Sequence, residues 1–485
     1  MVQLKKVQLK NWGGTLAVFL AVPLAVAFGI ARNPLLTTGA GIAAFGVLVG
    51  LLLAHRLPRI FLGVITLLLT GYAFLGKGFA YLGDSPFFVG ELTLLVGSFT
   101  LLVAGGLGVL LEGPLALLVG LFMLWGATCT FPHFGTYGLD TLRDGVLWVY
   151  GAFALIVAAL LYRTKSVQSV PRVFAHLLPW FLVWAPVAGL LYRAGTVALP
   201  HLPGSPVPLL VYKSGDTAVH LAGAAVFILL GLQKRWPWRW EWLTWVFWFA
   251  GFAIAGVGRA AAVSVLAGLG VLLVLRPKSP WPKFLGVGAA MATLALLCNF
   301  QIGLNGSRAV SVEQYVQNFQ SLVDPSDEKL AGSKEWRQEW WQDIVHYTFE
   351  GRYFWTGKGF GINLADADGY QVENDGSLRH PHNGHMNILA RSGVPGLALW
   401  LLLQVTFGGS LLLAYFRSRH AGQEDWAKLN LWVLAYWTAF MVNASFDVYL
   451  EGPQGGIWFW SLMGFGIALL LAQPNQPARA RRGRP

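Results

Sequence analysis

The stretch His382-Asn383-Gly384-His385-Met386-Asn387-Ile388-Leu389-Ala390-Arg391-Ser392-Gly393-Val394-Pro395-Gly396 closes a long polar segment and opens the apolar run 394–416. A run of that length matches the roughly 20 apolar residues that a helix needs to cross a hydrocarbon core about 30 Å thick. Working outward, similar runs recur at 12–31, 36–54, 60–75, 88–111, 114–130, 146–162, 174–192, 214–232, 243–257, 260–275, 284–301, 429–445 and 457–473. With 55% hydrophobic and 12% charged residues over 485 positions, the chain is too apolar for an ordinary soluble protein. Lipid offers the backbone no hydrogen bonds, so these runs read as helices. The fold class is an all-α polytopic membrane protein with about 14 transmembrane helices and one large extracytoplasmic loop.

Charge gives the orientation. Lys5, Lys6 and Lys10 precede the first run, which lacks a small-x-small cleavage site and reads as an uncleaved span. Basic residues such as Arg56, Arg59, Arg163, Lys165, Arg172, Arg276, Arg417 and Arg419 gather in alternate connections. The positive-inside pattern puts both termini in the cytoplasm. The polar segment 302–385 then lies outside, and it is acidic: seven Lys and Arg against 12 Asp and Glu, a net of −5. The overall charge of +12 is therefore topology, with attraction to anionic membrane lipids as a by-product, and it implies no nucleic-acid partner. Trp236-Pro237-Trp238-Arg239-Trp240-Glu241-Trp242 reads as an inner-face aromatic belt. Cys129 and Cys298 both sit in apolar runs and suggest packing, without a disulfide framework.

These boundaries divide the chain into an N-terminal bundle (1–301), the loop (302–385), C-terminal helices (386–473) and a basic cytoplasmic tail (474–485). Within the loop, Gly332-Ser333 offers a helix start. Trp336, Trp340, Ile344 and Tyr347 then recur at helical spacing, predicting an amphipathic helix over 334–348. Gly357-x-Gly359-x-Gly361 has no strand–helix unit around it and does not read as a nucleotide loop.

Several polar residues collect on the outer side. Arg259 stands between two spans and Arg337 on the loop helix; each alone would read as a snorkelling or solvated arginine. Together with His382 they have the composition to surround a diphosphate, since guanidinium groups grip phosphate bidentately and imidazole accepts a proton near neutral pH. Lys213, Asp216 and His220 share a helix face, and Arg143-Asp144 occupies the outer end of another span. Ionisable groups at such depth are candidates for substrate contact, with mutual ion pairing as the plainer account. Asp447 and Glu451 in the last outward loop are weaker candidates. His380, His382 and His385 with Asp366-x-Asp368 match no closed metal pattern, so neither metal nor cofactor is expected.

His382-Asn383 followed by Gly393-x-x-Gly396 resembles the signature of the O-antigen ligase and O-antigen polymerase superfamily. Gly258-Arg259, Trp336-Arg337-x-x-Trp340 and Gly357-x-Gly359-x-Gly361 resemble its other motifs, in the same order, over roughly residues 250–400. His385 and Arg391 depart from the family's pattern, which commonly has an aromatic and an acidic residue there. The resemblance implies a metal-independent, inverting membrane glycosyltransferase at the outer face of the bacterial inner membrane. Its donor would be a glycan on undecaprenyl diphosphate. The acceptor would be lipid A core, another glycan or a different hydroxyl. Carried over by position, Arg259 and Arg337 would bind the diphosphate, and His382 would activate the acceptor hydroxyl or support the diphosphate. Asn383 and Glu451 join Arg143, Lys213, Asp216 and His220 as substrate-contact candidates. The alternative is a transporter, because some relatives have been proposed to carry inorganic carbon.

Overall fold

The computed structural model describes residues 55–474, apart from short stretches near 105–112, 196–198, 203–206, 234–237, 276–280, 300–309 and 324–327. The two first expected spans and the C-terminal tail lie outside the described residues. One-turn helices aside, the order is α1 (Leu57–Leu75), α2 (Val89–Val103), α3 (Pro114–Thr130), α4 (Leu139–Val149), α5 (Gly151–Arg163), α6 (Val170–Ala194), α7 (Ser214–Leu229) and α8 (Trp238–Ala255). There follow α9 (Arg259–Leu275), α10 (Trp281–Leu297), α11 (Val312–Val323), α12 (Glu328–Val345), α13 (Leu364–Asp368), α14 (Gly384–His420), α15 (Glu424–Ala444) and α16 (Pro453–Ala472). A two-residue antiparallel hairpin, Gly83–Asp84 with Phe87–Phe88, is the only sheet among the described residues.

Five helical stretches are long and apolar enough to cross a membrane: Leu57–Leu75, Pro114–Tyr137, Val167–Ala194, Gly384–His420 and Pro453–Ala472. The pair α4 and α5, bent by 42°, would make a sixth. Five shorter apolar helices accompany them. The reason they fall short is geometric. α7, for example, has 16 residues, a rise of about 24 Å against a core of about 30 Å. α15 is 21 residues long but starts with Glu424 and Asp425. The all-α membrane architecture thus stands, with five or up to six full-length spans among the described residues.

One large apolar core fills the bundle, with α7, α15 and α16 at its centre: Ala218, Leu221, Ala222, Leu431, Val433, Ile457 and Met463 are fully or almost fully buried. A second, smaller core lies in the outer segment, where Trp340, Ile344, Leu364, Ala365 and Leu378 pack on Leu389 and Ala390 of α14. The predicted loop helix is therefore real but longer at its start. It begins at Glu328, so Gly332-Ser333 lie inside it, and a π-helical turn, His346–Glu350, extends it. Its apolar stripe buries against α14.

The seam between the two cores is the break in α14. Gly393 there has φ 68° and ψ −172°, a region closed to residues with a Cβ. Pro395 cannot donate to the carbonyl of Arg391, four residues back. The freed groups are taken up by the glycine loop: Lys358 N donates to Ala390 O at 2.7 Å and Gly359 N to Arg391 O at 3.1 Å. Val394 N donates to Phe354 O at 2.8 Å, and Trp125 Nε1 reaches Ser392 O at 2.9 Å. The Gly357-x-Gly359-x-Gly361 motif serves this close approach, since a Cβ on Gly357 would stand 2.5 Å from Ala390 O.

Candidate functional site

The outer segment is clamped to the bundle by a buried charge cluster. Asp144 of α4 receives Arg391 Nη1 at 2.9 Å and Arg379 Nη2 at 3.2 Å, and Gly361 N donates to its Oδ2 at 3.0 Å. The Arg391 side chain is 1% exposed, and its guanidinium also donates to Asn387 Oδ1 and to the carbonyls of Gly359 and Ile362. Removing one partner would strand a buried charge, at a cost of about 3–5 kcal/mol. A parallel tie joins Lys358 to Asp368, which also accepts from Trp340 Nε1 at 2.6 Å. These interactions fix the segment that carries Arg337 and His382.

His382 sits just before α14 with φ 50°, a left-handed backbone uncommon for any residue but glycine. Asn383 explains how the turn is held. As N-cap of α14, its Oδ1 accepts from His385 N at 2.9 Å and Met386 N at 3.1 Å. The His382 ring lies 6.2 Å from the Trp336 ring and 5.4 Å from that of His380. His385 is committed elsewhere, between Ser445 Oγ at 3.1 Å and Trp400 Nε1 at 3.1 Å.

Across from His382 runs the loop that joins α15 to α16. Its Asp447 forms an ion pair with Lys213, the N-cap of α7. Burial pushes the Asp447 carboxyl up, but Lys213 and then His380 and His382 outweigh it, and the group is held below the usual carboxylate range. His382 is shifted the other way: burial, and then the Arg337 charge, lowers its pKa, while Asp447 resists. Burial and then His382 lower His380 to about 3. Arg337 in turn feels Asp447 and Arg259 after the dominant effect of its own burial. Asp447 and Arg259 thus act on Arg337, and Arg337, Asp447 and Lys213 act on His382, whose imidazole is less basic than usual.

Several wall atoms there are buried and unpaired. Gln454 Nε2 donates to Asp216 Oδ2 at 3.2 Å, yet Asp216 Oδ1, Gln454 Oε1, Asn443 Nδ2, Tyr449 OH, Glu451 Oε1 and Arg337 Nε have no protein partner. Such groups are costly when left unpaired, which sets them apart from the satisfied core around them. Burial pushes Glu451 up to about 8, against the pull of Arg391, so its carboxyl is largely protonated near neutrality. His220 lies deeper, with Nδ1 2.6 Å from Tyr436 OH and its ring 4.8 Å from that of Trp458. Arg143 points outward, 63% exposed and 3.9 Å from Asp140, so its neighbour Asp144 is the inward residue of that pair. No group of three His, Cys, Asp or Glu close enough to hold a metal ion exists among the described residues.

Residues 244–401 match the model of the O-antigen ligase family. The O-antigen ligase match takes in Arg259, the outer segment with Arg337, His382 and the break at Gly393, and it ends within α14. The family resemblance read from the motifs holds over that stretch, which is about a third of the chain. A search of curated proteins finds no match for the chain. Asp447, Tyr449 and Gln454 fall outside the matched stretch. Sequence reading missed the two last altogether and ranked Asp447 low, because a loop carboxylate announces nothing until its neighbours are known.

Proposed function

We propose that this protein transfers a glycan from undecaprenyl diphosphate to an acceptor hydroxyl at the outer face of the bacterial inner membrane. The observation that carries the reading is the set of charges Arg259, Arg337, Lys213 and Asp447 around a His382 of lowered basicity, with Arg259, Arg337 and His382 inside the stretch that matches the O-antigen ligase family. Departure of the lipid diphosphate builds negative charge on phosphate oxygens, and fixed guanidinium groups at a half-dry boundary stabilise it. Arg259 and Arg337 take that role. His382 accepts the acceptor's proton as the new glycosidic bond forms. Inversion follows when the hydroxyl attacks the face opposite the leaving diphosphate. Lys213, Asp216 and Glu451 line the acceptor side, and Asn383 contributes by holding His382 in position.

The direct test is transfer by purified protein from undecaprenyl-diphosphate glycan to lipid A core or to free glycan, with and without chelator. Arg259→Ala, Arg337→Ala and His382→Ala should each lower turnover at least about 100-fold, a loss of the size set by missing charge stabilisation or general base catalysis, with folding intact. Wild-type rates from all three variants would remove the proposal. Loss of product in chelator would instead require a metal ion.

A further inference from the structure

Between the C-terminal end of α10 and one face of α11 lies a polar cavity of about 390 Å³, separate from the charges described above. Asn299, Gln301, Glu313, Gln317 and Gln320 line it, beside an apolar strip of Leu296 and Val316. We propose that this cavity binds a neutral glycan and holds the distal sugars of the donor's chain. That the glycan belongs to the donor rests on the transfer reading above.

Helical periodicity explains the lining. Glu313, Val316, Gln317 and Gln320 stand at i, i+3, i+4 and i+7 of α11, hence on one face. Tyr315 lies on the opposite face, where its OH donates to Phe252 O and Ala253 O at 2.9 Å each. A Cβ on Gly256 would stand 2.9 Å from that OH, so glycine leaves room for the docked ring. α11 is thereby pinned to the end of α8, and Arg259 opens α9 three residues after Gly256. A chain on the far face of α11 is about one helix diameter, roughly 10–12 Å, from the segment that leads to Arg259.

Chemistry selects the occupant. A carboxamide both donates and accepts hydrogen bonds, as does each hydroxyl of a sugar. One side-chain hydrogen bond joins two of the lining groups, from Gln301 Nε2 to Glu313 Oε2 at 3.2 Å. Among the described residues no Lys, Arg or His lines the cavity, and Glu313 brings its one charge. A phosphate or an acidic sugar would find no counter-charge there, whereas a neutral sugar needs none. Leu296 and Val316 are exposed and offer contact to the C–H face of a sugar ring. The volume falls within the roughly 300–1,000 Å³ of small-ligand sites.

Gln317 and Gln320 are exposed, so replacing them leaves the core untouched. Full-length protein in nanodiscs is titrated calorimetrically with the glycan released by mild acid from the cell's own lipid-linked donor. Wild type should bind it with an affinity indifferent to salt, since no ion pair is made. The joint Gln317→Ala, Gln320→Ala variant should bind about tenfold more weakly, roughly 1.4 kcal/mol. Gln342→Ala, exposed on α12 and outside the cavity, should match wild type. In transfer assays the joint variant should raise KM about tenfold for a donor bearing many sugars. Its kcat, and its KM for a single-sugar donor, should stay at wild-type values.

No binding by wild type, or equal binding by the joint variant, overturns the assignment. Preference for an acidic over a neutral glycan of equal length also overturns it. An unchanged KM for the long donor, with transfer intact, removes the site and leaves the transfer reading standing. If no donor is turned over yet the free glycan binds in a Gln317- and Gln320-dependent way, the site stands and the transfer reading falls.

Discussion

His382 combines a left-handed backbone with a depressed basicity, and both have local causes. The backbone cost, about 1–3 kcal/mol, is offset by the Asn383 cap and by the packing of Trp336 and His380 against the ring. The lowered pKa has a kinetic consequence. Only the neutral imidazole can accept a proton, so activity is lost as pH falls through the lowered pKa and not before. The value of kcat/KM should stay level from about pH 8 down to about 6.5, the ordinary histidine value, and decline only below it. An acid limb centred at or above that value would contradict the assignment. Asp447 acts through His382 as a positioning residue, and its carboxylate raises the imidazole pKa. Asp447→Asn should therefore move the acid limb to lower pH. Glu451 gives a complementary case. Its carboxyl is pushed up to about 8 by burial, so Glu451→Gln preserves charge and shape near neutrality. Turnover at pH 7 within about twofold of wild type is expected, since the two side chains differ by one hydrogen-bonding group. A large loss would show that the carboxylate form is the working one.

At the level of elements, the break in α14 carries the burden of joining membrane and outer segment. Gly393 has a positive φ, and a Cβ there would meet Phe354 O at 2.4 Å. Gly393→Ala should destabilise the protein by about 1–3 kcal/mol, seen as a lower melting temperature in detergent. The loop 353–359 should also become more open to proteolysis, because its backbone bonds to Ala390, Arg391 and Val394 end at this seam. A melting temperature equal to wild type would show that the break is tolerant. The motif itself was readable in the sequence as Gly393-x-x-Gly396. That its partner is Gly357-x-Gly359-x-Gly361 was not, because the contact spans more than 30 residues and depends on the carbonyl freed by Pro395.

For the whole molecule, the positive-inside distribution predicts residues 302–385 outside and the basic connections inside. Single-cysteine proteins, with Cys129 and Cys298 replaced, provide the check. Gln371→Cys should react with a membrane-impermeant maleimide in intact spheroplasts, whereas Arg417→Cys should react only after permeabilisation. The reverse pattern would put the candidate site on the cytoplasmic side and exclude a lipid-linked donor presented from outside.

Composition and apolar run length alone determined that this chain is a helical membrane protein, because a continuous apolar run of about 20 residues fits a spanning helix, whereas a barrel strand is about half as long. The order of Arg259, Arg337, His382 and Gly393 likewise disclosed the family's stretch before any coordinates. Tertiary structure decided everything that depends on neighbours distant in sequence. It turned Arg143 outward and Asp144 inward, gave Asn383 a capping role, and drew Asp447 from a minor loop position to the ion pair with Lys213. It also moved the ends of expected spans, placing the run 243–257 in the helix Trp238–Ala255, since hydropathy records that a run is apolar but not where its helix stops. Periodicity and motif are local properties of a chain, whereas a charge set exists only once helices far apart in sequence have packed.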